Sequence, residues 1–191
     1  MASLGHVAVG MVAGRLASRG AARGTSGALV FRMFALSAAS LLPDADVIAF
    51  QLGIPYGAPF GHRGASHSFV AALLIGILAG ILAAQQARPR AGLPRGQVAR
   101  DRGLRVALYV ALVVATHGPL DALTDGGLGV ALLWPFSHER FFFPWTPIPV
   151  APIGIRMVSS RGLLVASTEL LYFAPLFLYA LWGRGARSEG H

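Results

Sequence analysis

The chain has no cysteine and no lysine. The first absence excludes disulfides and thiolate metal sites, so any bound metal must be held by imidazole and carboxylate, the ligands of zinc, manganese or iron. The second means that all 16 basic residues are arginine, from which no function follows. Charge is scarce: 13% of the 191 residues are Asp, Glu, Lys or Arg, against 54% hydrophobic. With a mean hydropathy of +0.60, this is too apolar for a soluble domain and reads as an integral membrane protein. The net charge of +8 does not indicate nucleic acid, because the arginines cluster beside apolar runs without interleaved aromatics. The N-terminus has its basic residues after its apolar part, the reverse of a signal peptide, and is expected to be retained.

A hydrocarbon core about 30 Å thick asks for about 20 apolar residues per helix. Gly27 to Leu42, Ser68 to Ala84, Leu104 to His117 with a continuation to Leu123, and Gly162 to Trp182 come close; Leu4 to Leu16 is a shorter fifth stretch. "ARPRAGLPRGQVARDRG" reads as a loop, and "WPFSHERFFFPWTPIPVAPIGIR" as mostly irregular with short strand-like or interfacial pieces. The expectation is one all-α domain over 1–191, a polytopic bundle of about four to five helices with a proline-rich irregular segment before the last.

Arginine placement predicts the topology. Arg15, Arg19 and Arg23, the Arg88 to Arg105 stretch, and Arg184 and Arg187 should face the cytoplasm, giving a cytoplasmic C-terminus. His6, Asp44, Asp46, His62, His67, His117 and Asp121, none of them used in that assignment, then reach the opposite, non-cytoplasmic side. Of the eight acids, four lie in "LLPDAD" and "THGPLDALTD", in apolar context or beside histidine. Asp44 and Asp46 are expected to project together from an extended backbone after Pro43 ends the helix. His117 and Asp121 are four apart, about 40° on a helical wheel, so one face can present both to one ion or two. Pro119 between them should start or kink a helix. His62 belongs to a loop and His67 to a first helical turn capped by Ser66 or Ser68. Each residue has a plain alternative as a hydrogen-bonded core group or an Asp–Arg pair; together, from four separate segments at one membrane face, they point to a metal site. The reading requires Asp44 and Asp121 within about 10 Å, because two-metal sites hold ions only about 3.5 to 4 Å apart.

Glu169 lies inside the last helix, where an acid costs about 2.5 to 3.5 kcal/mol unless paired or functional. It is a candidate ligand, partner of a histidine, or counter-ion to Arg63, Arg140 or Arg156. Those arginines form a cationic rim suited to an anionic substrate, with Arg63 and Arg140 the candidate contacts. His138 and the terminal His191 stay outside the set.

"LLPDAD", "HRGASHS", "HGPLDALTDGGLGVALLWPFS" and "FFFPWTPIPVAPIG" together resemble the bacterial inner-membrane, LexA-regulated YdjM-type family, described as membrane-bound metal-dependent hydrolases. The resemblance covers about Gly5 to Glu169. The order of ligands is also distantly similar to the zinc-cluster site of the phospholipase C and P1 nuclease superfamily, an all-helical fold with up to three zinc ions. Carried over, that pattern takes His6, Asp44, His62 or His67, His117 and Asp121; no clear equivalent of the later His and Glu ligands stands out, though His138, Glu139 and Glu169 are available, and His138 and Asp125 are less favoured as ligands.

The resemblance implies hydrolysis of an ester, foremost a phosphoester of a lipid or lipid-linked molecule, with one to three Zn2+ ions, or Mn2+ or Fe2+ instead. Asp46, besides being a candidate ligand, is the preferred general base, with Glu169 as a second catalytic carboxyl. Membrane lipids and the anionic ester are the expected partners; nothing fixes the oligomeric state. The alternatives are a non-enzymatic membrane protein that binds or transports metal through the same cluster, and a structural factor with buried ion pairs and no metal. Transport needs a path to the cytoplasm, and the cytoplasmic halves of the helices offer almost no ionisable residue except Arg32.

Overall fold

A computed structural model describes residues 3–18, 26–152 and 158–182. Five longer helices, α1 (Ser3–Leu16), α2 (Ser26–Leu41), α4 (Phe69–Gln85), α5 (Arg95–Ala115) and α7 (Ser160–Trp182), form the bundle. Two short ones, α3 (Ile48–Gln51) and α6 (His117–Ala122), lie at one end, with 3-10 turns at Leu42–Val47 and Ala65–His67. Among the described residues there is no β-strand, only isolated bridges such as Val130 with Phe141. The described residues between α6 and α7 are otherwise irregular, as their prolines dictate.

Gly27–Gln51, Arg95–Ala122 and Ser160–Trp182 are long and apolar enough to cross a membrane. Their large side chains, among them Phe31, Phe34, Leu108, Leu112, Leu164 and Leu171, point outward. That inversion of a soluble core is what lipid solvation permits. Between helices the contacts are small. In α4, Gly76 and Gly80 lie against Ala107, Ala111 and the Gly103 carbonyl of α5, so tightly that a methyl group at either glycine would overlap its neighbours. Gly10 and Gly14 of α1 meet the backbone at Ser37 and Met33 of α2 in the same way. With no hydrophobic driving force between helices in lipid, this close backbone approach supplies the dispersion energy.

These pairings set the directions. The helices α1 and α2 are antiparallel, as are α4 and α5. The first helix runs parallel to α7: Leu4 N–H reaches Glu169 near one end (2.6 Å), and Arg15 Nε reaches the Ala180 carbonyl at the other (2.8 Å). As a result His6, Asp44, His67, His117 and Asp121 share one end of the bundle, and the described arginines of the α4–α5 connection occupy the other. Arg19, Arg23, Arg156, Arg184, Arg187 and His191 lie outside the described residues.

Two expectations need correction. The basic stretch assigned to a loop is helical from Arg95, because Pro94 starts the helix at the position where a missing N–H costs nothing, and arginine sustains it outside lipid. And Asp44 and Asp46 do not sit on an extended backbone: Leu42–Val47 winds as a 3-10 helix with Pro43 in its first turn. At about three residues per turn, two positions apart diverge by about 120°, so the two carboxylates face different neighbours.

Candidate metal centre

Asp44 leaves the 3-10 turn toward α6, His67 ends the turn before α4, and His117 and Asp121 share one face of α6. The short helix α6 starts at His117 because the chain breaks from α5 at Thr116, with Pro119 in its first turn. The first turn of α4 is capped by Ser68, whose Oγ accepts the Ala71 N–H. Ser66, the other candidate cap, donates instead to Asp46 Oδ2.

All four side chains are buried, and one ligand atom from each lies within 4.8 Å of the others. His67 Nε2 and His117 Nε2 are 3.0 Å apart. Asp44 Oδ1 is 3.5 Å from the first and 3.4 Å from the second. Asp121 Oδ2 is 3.5 Å from His67 Nε2 and 4.0 Å from His117 Nε2. A tetrahedral zinc with bonds of about 2.0–2.1 Å has ligand–ligand edges of about 3.4 Å, so the separations suit one such ion. The tautomers fit as well. His117 Nδ1 donates to the Ser40 carbonyl at 2.7 Å, which leaves the Nε2 lone pair facing the other ligands. The strongest sign is Asp44: both its carboxylate oxygens are buried with no hydrogen-bond partner. A buried carboxylate in that state is costly unless a cation compensates it.

Around these four, further groups hold the ligands. Asp46 Oδ2 lies 3.1 Å from His67 Nδ1, the carboxylate–histidine arrangement that fixes a ligand ring. Its remaining capacity goes to His62 Nδ1 (2.6 Å), Arg63 N–H (3.1 Å) and Ser66 Oγ. His6 Nε2 meets Asp121 Oδ1 at 3.3 Å, and its ring stacks on His117 with centroids 3.7 Å apart. Burial alone would lower the His67 pKa, but the carboxylates of Asp121, Asp44 and Asp46 outweigh it and raise it to about 10. Without metal, a proton on His67 supplies the missing positive charge.

The sequence-predicted residues therefore separate. Asp44, His67, His117 and Asp121 come together as one group that could hold a metal ion. Asp46, His62 and His67 form a second group with ligand atoms in reach of one another, but His67 offers it only Nδ1, already engaged with Asp46 and Ser66. His6 sits against the centre through Asp121.

Four residues with an expected role at the substrate or in catalysis make other contacts in the structure. Asp46, expected as general base, has both oxygens occupied. Arg63, expected at the substrate, is fully buried: its Nε lies 3.1 Å from Asp121 Oδ2, and its other nitrogens donate to the Gly126 carbonyl and Thr124 Oγ1. Its φ of 60° lies in the left-handed region that non-glycine residues rarely adopt. Arg140 donates to the carbonyls of Tyr56, Ala58, His62 and Gly129, tying two loops together. Glu169 accepts the Leu4 N–H at 2.6 Å and the Gly5 N–H at 3.4 Å; it satisfies the open N-terminus of α1 and so positions His6. Asp125 accepts the Val150 N–H, and His138 is exposed. Ser40 and Thr124 were missed by sequence reasoning, and Ser66 was read only as a helix cap. Serine and threonine carry no ligand signal, and the Ser40 contribution is a carbonyl that any residue provides.

The sequence model of the family described as "YdjM inner membrane protein" matches residues 1–188. The inner membrane protein YbcI of Escherichia coli (strain K12) is 38% identical over 156 residues, covering 80% of this chain and 83% of that protein. No solved structure matches.

Proposed function

The chain belongs to the YdjM inner membrane protein family, and from that premise we propose that it is a membrane-embedded metal-dependent hydrolase, cleaving an ester and foremost a phosphoester of a lipid or lipid-linked molecule. The observation that carries this reading is the unbonded Asp44 carboxylate beside two imidazole Nε2 atoms and Asp121. Zinc is the metal that the nitrogen and oxygen donor set, with its atoms within 4.8 Å of one another, suits best. A divalent ion held there acidifies water near neutral pH and polarises an ester or phosphoryl oxygen.

The protein's own groups do the rest. Asp44, His67, His117 and Asp121 would hold the ion. Asp46 keeps the proton of His67 on Nδ1, and the Ser40 carbonyl does the same for His117, so both Nε2 lone pairs stay directed inward. Arg63 and His6 hold Asp121, and the Arg63 guanidinium balances one of the two carboxylate charges at the centre. This makes His6, Asp46, Arg63 and Glu169 positioning residues. Glu169 acts furthest out, through α1.

By the positive-inside rule the arginine-rich α4–α5 connection faces the cytoplasm, which puts the centre at the non-cytoplasmic face and the end of α7 inside. A reporter fused after Trp182 should read cytoplasm; an external reading breaks this orientation. The function is tested by elemental analysis of the purified protein and turnover of a generic phosphodiester. Bound zinc with turnover that His117→Ala abolishes, the fold surviving, supports the hydrolase. Metal without turnover on any ester supports a binding or transport protein, and no metal overturns both. The likeness to the phospholipase C and P1 nuclease enzymes rests on residue order alone.

A further inference from the structure

The irregular segments at the metal-centre end carry large apolar side chains on their outer surface. Phe136 is 87% exposed, Trp145 71% and Phe60 65%, with Leu128, Leu133, Phe142 and Phe143 also exposed. Phe60 meets Trp134 edge to face at 5.5 Å, which joins the loop after α3 to the segment after α6. These are not loosely hung loops. Arg140 fastens the two together through the carbonyls of Tyr56, Ala58 and His62. The Phe143 N–H is held by the Ala122 carbonyl, and the Phe69 N–H at the start of α4 by the Leu132 carbonyl, at 2.9 and 3.1 Å.

So many exposed aromatic and aliphatic residues on fixed backbone need an occupant. That last hydrogen bond indicates which. It joins the patch to the start of α4, where Phe69, Leu73 and Leu74 are exposed, so the segment that carries the exposed Leu133 and Phe136 adjoins the exposed apolar side chains of that helix. Trp and Phe next to the ends of spanning helices are what the headgroup boundary accommodates best. The opposite connection contrasts with it: Arg88, Arg90, Arg95, Arg100 and Arg102 stand out there, and of its large apolar side chains only Leu93 is exposed.

We propose that the paired segments Leu52–Phe60 and Leu128–Trp145 are seated in the membrane–water interface of the leaflet at the metal-centre end, with bilayer lipid as their occupant. They then form a roof lying in the headgroup layer rather than a loop in water. The seating depends only on membrane insertion. Its consequence rests on the hydrolase reading: the centre is served sideways from the bilayer, and its substrate is an ester anchored by an acyl or isoprenoid chain instead of a freely soluble one.

The test uses the full chain in phosphatidylcholine and phosphatidylglycerol vesicles, with Trp134→Phe and Trp182→Phe leaving Trp145 as the sole indole. The expected result is blue-shifted emission, strong quenching by lipids brominated on the upper acyl carbons, less by lipids brominated near the chain end, and little by aqueous iodide. Iodide quenching without bromolipid quenching overturns the proposal, as does shielding from both quenchers, which would mark a protein partner or a second copy. Because the chain has no cysteine, Phe136→Cys carrying an environment-sensitive fluorophore gives a second reading that leaves the Trp134 contact intact. Neither measurement involves catalysis. A seated roof with no turnover on any ester therefore removes the hydrolase reading alone, whereas turnover favouring water-soluble esters over vesicle-borne ones removes the sideways route.

Discussion

On the Nε2 side of His67 lie Asp44, His117 and Asp121; on the Nδ1 side lie Asp46, His62 and Ser66. The residue types are nearly the same and both sides are largely shielded from solvent, yet their hydrogen bonds differ. Asp46 is satisfied four times over, by His62, Arg63 N–H, Ser66 and His67, and needs no cation. Asp44 has no hydrogen bond at either oxygen. A ligand set is thus recognised less by its composition than by what it leaves unsatisfied, because burial makes an unmatched carboxylate expensive and a matched one tolerable.

The largest expected effect separates the two sides outright. His117→Ala or Asp44→Asn should empty the purified protein of metal and abolish turnover, whereas His62→Gln should leave the metal content intact. Elemental analysis of the three proteins decides the matter, and an empty His62→Gln protein would merge the two groups into one. Removing the metal with a chelator should lower thermal stability, since a ligand bound only by the folded state contributes about 2.7 kcal/mol when its free concentration is a hundredfold above its dissociation constant. Scanning calorimetry in detergent, with and without zinc, reads this; His117→Ala should be insensitive to the same treatment.

Asp46→Asn sharpens the contrast. Acting through His67, it should weaken metal affinity by about 10- to 100-fold without eliminating it, measurable by competition with a chelating dye. Equal loss in Asp46→Asn and Asp44→Asn would mean both carboxylates are ligands.

A separate expected effect is the pH dependence of the metal-free protein. The folded His67 pKa of about 10 lies above the unfolded value of about 6.5. Its contribution to stability is therefore full below about pH 6.5 and is lost as pH rises through about 10. Melting temperature without metal should fall across that window. Zinc binding should release a proton at neutral pH, read as buffer-dependent heat, since Nε2 cannot bear both.

The membrane class and the helices were legible in the chain, since spanning segments need long apolar runs; where the backbones meet at glycine was not read from it. The polar residues of the centre were legible too: eight acids in 191 residues, half of them in two apolar motifs, leave few candidates. What misled was electrostatic bookkeeping at a distance. Arg63 and Arg140 look like anion receptors in a sequence because their partners are an aspartate 58 positions away in one case and backbone carbonyls in the other. Glu169 looks catalytic because an N–H group at a helix terminus has no sequence signature.

Composition and pattern by themselves determined that this protein lives in lipid and that its metal, if held, is held by imidazole and carboxylate. Only the tertiary structure decided how those groups divide around His67. The physical reason lies in one turn: winding Leu42–Val47 as a 3-10 helix points Asp44 and Asp46 at opposite nitrogens of the same ring, and neither residue's identity encodes that angle.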